Sequence, residues 1–298
     1  MNRDGPGLLL RDLLEGDPRG EAAARLVAGA APDVLVLGGF DYDATGAALE
    51  AFAAAIERAG HPLPHRFALR PNTGWATGLD LDGDGRLGGP GDAQGYGRFA
   101  GEGGLAILSR HHVEGEAVQD LSALLWAEVP GSLFRPEPAA SAAVQRLSTT
   151  AHWDVPVRVP GGVLRLLVFH ATPPVFDGPE DRNGRRNADE IRLWQSYLDG
   201  RIAGFAPPAE RFVVLGTANL DPESGDGRRA AIRALLGDAR LQDAMPPGPT
   251  ARFANPGPLR VDVLLPSADW RVTDAGLEWP PEGSAAGRHA LLWADLAR

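Results

Sequence analysis

Short apolar runs recur along this chain, at Asp33–Leu37, Arg66–Leu69, Gly104–Leu108, Val163–Phe169, Phe212–Leu215, Val261–Leu265 and Ala290–Trp293. Each is rich in Val, Leu, Ile or Phe and bounded by Gly, Pro or charged residues, which is the pattern of strands buried on both faces. Between them the hydrophobic period changes to that of a helix. Leu49, Phe52 and Ile56 lie at helical spacing within 44–60, and further helices are expected over 8–16, 21–30 and 226–240. Asn187 and Glu190 have the spacing of a capping box, and Ile191, Trp194, Leu198 and Ile202 continue as one apolar stripe. Gly- and Pro-rich loops fill 71–103, 130–141, 245–258 and 276–288, and none has the character of an interdomain linker. The expectation is one mixed α/β domain over 1–298, without the regular strand–helix alternation of a parallel sheet.

Several of these runs end in groups that can do chemistry. Val163–Phe169 runs into His170 and then a loop dense in Pro, Asp, Asn and Arg. The run after Asp33 ends at Asp41 and Asp43, the run after Phe212 at Asn219 and Asp221, and Asp262 and His289 open two others. One imidazole at a strand end is ordinarily structural, but several polar strand ends in one chain point to a shared reaction site.

Composition narrows that chemistry. At 298 residues, with 44% hydrophobic and 23% charged side chains, the chain can bury a large core. There is no Cys and no Lys, which removes thiol nucleophiles, disulfides, Schiff bases and P-loop phosphate binding. The net charge of −10 argues against diffuse attraction to nucleic acid, so such a substrate needs a local basic patch or a bound cation. No apolar stretch reaches the roughly 20 residues of a membrane span, and charges interrupt the first 30 residues. As written the chain reads as cytoplasmic.

The loop Leu79–Asp92 contains Gly83, Gly85 and Gly88 in dinucleotide-fingerprint spacing, but Gly89-Pro90-Gly91 cannot open the helix that fingerprint requires. Asp80, Asp82 and Asp84 instead alternate around a glycine turn, as a hard, oxygen-seeking cation such as Ca2+ demands. The twelfth position of a complete calcium loop is Gly91 here rather than Glu.

The order of short tags across the chain resembles the endonuclease/exonuclease/phosphatase superfamily, the phosphoesterases related to DNase I. They are Thr77–Gly85, Gly88–Ala93, His152–Val157, His170–Ile191, Asn219–Pro222 and Arg260–Ser267, spread over nearly the whole length. The resemblance implies an α/β sandwich of two mixed sheets packed face to face with helices outside. It implies a Mg2+- or Mn2+-dependent phosphoester hydrolase acting on a phosphorylated small molecule or a phosphodiester. His170, Asn219, Asp262 and His289 stand at its catalytic positions, and Arg182, Arg185 and Arg288 are candidates for the phosphate. Its metal-binding Glu falls on Gly39, one Asp on Thr217 and another on Arg288. Its first strand, carrying an Asn, would precede Gly5, so an export signal could have preceded it too.

These departures leave three expectations. One is a hydrolase with Asp41, Asp43 or Asp221 recruited as metal ligands, Asp41 first because alternation puts it on the strand face of Gly39. Another is a silent relative that binds phosphate or nucleotide, with Arg288 beside Asp262 replacing the cation's charge. The third is an interaction module. The substitutions as a set favour a degenerate metal site with weak activity.

Overall fold

The computed structural model describes residues 1–136, 138–281, 283–284 and 286–297. Three helices open the chain with one strand among them: α1 (Leu8–Leu14), α2 (Pro18–Ala30), β1 (Val34–Phe40) and α3 (Ala47–Arg58). Next come β2 (His65–Phe67), β3 (Gly104–Ser109), β4 (His112–Val113), β5 (Gln119–Asp120), β6 (His152–Val159) and β7 (Gly162–His170). The remainder comprises α4 (Arg182–Leu198), β8 (Phe212–Thr217), α5 (Ala230–Leu236) and five more strands. Those are β9 (Ala251–Arg252), β10 (Pro258–Leu259), β11 (Asp262–Pro266), β12 (Arg271–Glu278) and β13 (Leu291–Ala297).

One sheet is antiparallel, in the order β1-β3-β2. The larger sheet runs β11-β8-β7-β6-β4, with β5 on β6, and is antiparallel except where β7 and β8 lie parallel. The pairs β9–β10 and β12–β13 stand apart from both.

The period-2 alternation of strand side chains assembles these pieces into layers. On β3, Leu105 and Ile107 face Trp153, Val155 and Val157 of β6 and Leu166 and Val168 of β7, filling the space between the sheets. The alternate residues Ala106 and Leu108 join Leu35 of β1, Phe52 and Ile56 of α3 and Val27 of α2 on the outer side. On β7, Leu167 and Phe169 turn the other way, to Ile191, Trp194 and Tyr197 of α4 and Ile232 of α5. Each central strand is therefore covered on both faces, which is why it reads as an unbroken apolar run. The layers are helices, small sheet, large sheet, helices.

Six strands escape the sequence pattern: β6, β12 and the two-residue strands β4, β5, β9 and β10. In β6 the residues between the apolar ones, His152 and Asp154, are buried and hydrogen-bonded rather than exposed. Strand β12 carries Arg271, Thr273 and Asp274, which do not advertise an apolar face. Helix α4 also begins at Arg182, so Asn187 and Glu190 lie inside it and form no cap. The stripe Ile191–Trp194 is buried as expected, while Ile202 packs on the same core from beyond the helix end.

Candidate active site

Adjacent strands β7, β8 and β11 deliver His170, Thr217 and Asp262 side by side, in register as His170 opposite Thr217 and Thr217 opposite Asp262. Thr217 Oγ1 donates to Asp262 Oδ1 at 2.7 Å, and Thr250 Oγ1 donates to Oδ2 at 2.9 Å. The same Thr250 oxygen accepts from the amides of Val261 and Asp262, each at 3.0 Å, so it clamps the start of β11. His289 completes the group, its Nδ1 lying 2.8 Å from Asp262 Oδ2. A carboxylate accepts a proton-bearing nitrogen, so this contact fixes Nδ1–H and turns Nε2 outward. The His289 side chain is 39% exposed against 12% for Asp262, which makes the imidazole the solvent-facing member of the pair.

Asn219 follows two residues after β8, in the left-handed region at φ 53°, which Asn tolerates better than most residues. Its amide N–H reaches Val261 O at 3.1 Å, and its Nδ2 donates to Ala171 O at 2.8 Å. The residue therefore ties the ends of β7, β8 and β11 together. His170 is enclosed at its Nδ1, which has no hydrogen-bond partner among the described residues. Burial pushes its pKa down to about 4; the Asp262 charge opposes this and His289 adds to it. The ring is neutral at pH 7. A Cβ on Gly38 would stand 3.5 Å from His170 Nδ1 and 3.7 Å from Thr217 Oγ1, so the end of β1 abuts the same cluster. His170, Asn219, Asp262 and His289 thus converge on one edge of the sandwich.

Helix α4 supports this edge with buried polar groups whose spacing in sequence suggests a cap. Asn187 Nδ2 donates to Thr172 O and to Ala218 O, both at 2.7 Å, bridging the loops that follow His170 and precede Asn219. Glu190 Oε1 accepts from the Thr149 amide and hydroxyl at 2.6 Å, and Oε2 from the Thr172 amide at 2.7 Å. Burial raises the Glu190 pKa to about 7, with Arg186 opposing. Arg186 is itself buried and donates to carbonyls of Gln94, Arg146 and Leu147. His152, the first residue of one of the family-like tags, is a core histidine between Ser148 Oγ at 2.7 Å and Glu190 O at 2.9 Å. His61 is buried against Pro32 O.

Several candidates take other places. Asp41 lies beyond β1 with Oδ2 on the Arg3 amide at 2.7 Å and Oδ1 on the Gly103 amide at 2.8 Å, so its oxygens hold backbone rather than the cluster. Asp43 caps α3 through Ala47 and Ala48, and Asp221 accepts the amides of Glu223, Ser224 and Arg260. Arg288 is exposed and stacks on Phe253 at 5.5 Å; Asp262 has Thr217, Thr250 and His289 instead. Arg185 is buried and donates to carbonyls of Glu180, Asp181 and Leu133, which commits it to structure rather than to a phosphate. Arg182 donates to Leu81 O at 2.8 Å, joining α4 to the acidic loop. The backbone also corrects the strand face. A Cβ on Gly38 points at His170, whereas Gly39 has φ 65°, a conformation that strains any side chain there.

A divalent cation does not fit this cluster. Its potential donors are two imidazoles, the Asn219 amide oxygen and one carboxylate that already accepts three hydrogen bonds, and hard cations require several anionic oxygens. Among the described residues, only Asp80, Asp82 and Asp84 form a group of three His, Asp or Glu side chains whose ligand atoms lie within 4.8 Å of one another. In that loop Asp80 accepts from the Gly83 and Gly85 amides at 2.7 and 2.9 Å, and both glycines need positive φ. A Cβ on Gly91 would stand 2.2 Å from Asp82 Oδ2, so a twelfth-position Glu would have to displace the Asp82 side chain.

Comparison with known proteins agrees with this layout. The model of the Endonuclease/Exonuclease/phosphatase family matches residues 7–289. Among solved structures, an endonuclease/exonuclease/phosphatase family protein from Leptotrichia buccalis C-1013-b superposes with a TM-score of 0.53 at 13% identity, covering 94% of this chain and 93% of that one. An endonuclease/exonuclease/phosphatase from Bacteroides vulgatus gives 0.54 at 12% identity, over 94% and 90% of the two chains. The 3'-5' exonuclease NExo from Neisseria meningitidis gives 0.52 at 16% identity, over 94% and 95%. No curated protein matches the chain by sequence. The fold is the DNase I-like α/β sandwich, and the chain belongs to the endonuclease/exonuclease/phosphatase family.

Proposed function

We propose that this chain binds phosphate esters at the His170–Asn219–Asp262–His289 edge and is a phosphoester hydrolase of low turnover. The observation that carries the reading is the Asp262–His289 pair. Asp262 fixes the imidazole tautomer with Nδ1–H towards it, so Nε2 faces outward, and the imidazolium form of His289 is the one that donates Nε2–H to a phosphoryl oxygen or protonates a departing alkoxide. His170 stays neutral beside it and adds a polar wall without a second positive charge.

The cation ligands of the family reading are absent from this edge, so the Mg2+- or Mn2+-assisted part of the chemistry has no seat here and turnover is low. In the second reading, a binding relative in which Arg288 replaces the cation, the guanidinium would have to reach the phosphate from its place over Phe253, beside His289, rather than from Asp262. The Asp80–Asp82–Asp84 turn is the place for a structural Ca2+, held away from the reacting edge and joined to α4 by Arg182.

The test is hydrolysis of bis-p-nitrophenyl phosphate and p-nitrophenyl phosphate with and without Mg2+ or Mn2+, together with calorimetric titration of inorganic phosphate. Expected are phosphate binding that His289→Ala abolishes and turnover at the limit of detection. Rapid Mg2+-dependent turnover would overturn the low-activity reading. Phosphate binding indifferent to His289→Ala would remove the site.

A further inference from the structure

Two hydroxyls meet Asp262, and their hydrogen bonding differs. Thr250 Oγ1 accepts the amides of Val261 and Asp262 and donates to Oδ2, which occupies both of its lone pairs and its proton. Thr217 Oγ1 donates to Oδ1 at 2.7 Å, and among the described residues no donor reaches it. Its proton is therefore directed at a carboxylate while both lone pairs stay free. A β-branched side chain has few χ1 choices, so the end of β8 holds this oxygen in place.

The neighbouring strand leaves space beside that oxygen. Gly38 of β1 is exposed, and a Cβ built there would stand 3.7 Å from Thr217 Oγ1 and 3.5 Å from His170 Nδ1. Apart from the adjoining residues, no other heavy atom comes within 4 Å of that point among the described residues. A group entering where β1 has no side chain thus meets the hydroxyl together with the His170 nitrogen that has no hydrogen-bond partner among the described residues.

A hydroxyl within hydrogen-bond reach of a base, with the base oriented in turn by a third group, is the arrangement that activates a side-chain nucleophile. Here Asp262 is the base, and Thr250 and His289 orient it through Oδ2 at 2.9 and 2.8 Å. A carboxylate that accepts a hydroxyl proton while the oxygen attacks phosphorus is also the part played by the catalytic-loop Asp of protein kinases. The resemblance puts an Asp at position 217, so this hydroxyl belongs to the present chain rather than to the family pattern.

We infer that Thr217 is a covalent nucleophile, whose Oγ1 attacks the phosphorus of a bound ester and carries the phosphoryl group as phosphothreonine. The Oγ1–P bond forms as the ester P–O bond breaks. The hydroxyl proton passes to Asp262 Oδ1, and the departing oxygen takes the electron pair and a proton from the imidazolium form of His289. Water then attacks the phosphorus; its oxygen stays on the phosphate and one of its protons returns to Oγ1. A threonine phosphate is an alkyl monoester, a class whose uncatalysed hydrolysis is among the slowest known, so the second step is the slow one. The inference rests on the phosphoester reading for its substrate class and adds the route that the phosphoryl group takes.

The test mixes the full chain in EDTA with excess p-nitrophenyl phosphate, whose leaving group departs as the anion. Release of p-nitrophenolate is followed from the first turnover, and samples are quenched in acid, which a threonine ester survives. Expected are a burst approaching one p-nitrophenolate per chain and one phosphoryl group mapped to Thr217 by tandem mass spectrometry. Thr217→Ser keeps the hydroxyl and should keep both; Thr217→Val, of nearly the same shape, should lose both. Asp262→Asn removes the base and should slow the burst by roughly a hundredfold or more.

Release that is linear from the first turnover, with no adduct and undiminished in Thr217→Val, would overturn the nucleophile and leave the hydrolase reading in place. A phosphoryl group mapped to any other residue, or a burst retained by Thr217→Val, would overturn it too. An adduct on Thr217 that never turns over supports the nucleophile and sinks the hydrolase reading. Absence of both adduct and turnover, with phosphate binding that still depends on His289, overturns the nucleophile and leaves the binding edge standing. The same absence with phosphate binding indifferent to His289→Ala removes the site and the inference with it.

Discussion

Replacing Asn187 tests how the reaction edge is held together. Its side-chain amide donates to Thr172 O and Ala218 O at 2.7 Å each, while its own Oδ1 is buried without a partner among the described residues. Asn187→Leu keeps roughly the volume, strands one buried and one half-buried carbonyl and removes one unsatisfied oxygen. Leaving a buried acceptor unpaired costs about 1–3 kcal/mol, so two stranded and one relieved give a net destabilisation of about 1–3 kcal/mol. Asn187→Asp is the sharper variant. It replaces the two donors with a carboxylate oxygen facing two carbonyl oxygens and places an unpaired charge in the core. A loss of about 3–5 kcal/mol is expected, matching what stranded buried charges cost elsewhere. The assay is urea unfolding at pH 7 with m held constant between variants. A Leu variant within about 0.5 kcal/mol of the parent, or an Asp variant as stable as the Leu variant, would refute the assigned amide orientation and the bridging role.

The remaining expectations are brief. Binding of Ca2+ to the folded Asp80–Asp82–Asp84 turn at a hundredfold excess over Kd contributes about 3 kcal/mol, so melting in millimolar calcium should exceed melting in EDTA by several degrees; superimposed curves would dismiss the ion. His152 and His170 are held at about pKa 4, below the ordinary 6.5, so their contribution to stability is present above pH 6.5 and lost as pH falls towards 4. Glu190, raised to about 7, acts oppositely: its contribution is present below about pH 4.5 and lost as pH rises through 7. Two histidines against one carboxyl predict a thermal midpoint that peaks near pH 6–7 and falls on acidification, and a midpoint flat from pH 4 to 8 would contradict that. Thr217→Asp would set a second carboxylate beside Asp262 and should lower the melting temperature in EDTA but recover it in Mg2+; no recovery with the metal would show that the cluster cannot be converted.

Much of this was legible from the sequence, and the failures share a physical cause. Runs such as Val163–Phe169 and Gly104–Leu108 could be read because a strand covered on both faces has no polar positions to confuse the period. His170, Asn219, Asp262 and His289 could be read because they stand where such runs begin or end. Buried polar residues defeated the reading. His152, Asn187 and Glu190 look like a surface or cap pattern, and nothing local says that they face backbone groups far along the chain. Thr217 and Thr250 were invisible as partners of Asp262 for the same reason, since the bonds join residues 45 and 12 positions apart. Arg288 was placed beside Asp262 because the resemblance puts an Asp at that position; in the structure its guanidinium lies over Phe253, whose other neighbour is the His289 ring, and Asp262 is satisfied by Thr217, Thr250 and His289.

The substitutions around Asp262 form a self-consistent set once the structure is considered as electrostatics. Clustered carboxylates repel one another and hold together only around a cation. Here the neighbour on β8 is Thr217, a donor, and the strand end that abuts His170 is Gly38, which brings no charge at all. Asp262 is left as the one carboxylate of the cluster, and two hydroxyls and an imidazole satisfy its oxygens. Its charge is thereby stabilised without a metal, and the cost of assembling the pocket falls. Under the function proposed above, the same change would leave the cation without its family ligands and His289 as the group that faces the substrate. The proposed function therefore makes this an edge that holds a phosphate better than it accelerates attack on it, and rapid Mg2+-dependent turnover would contradict that.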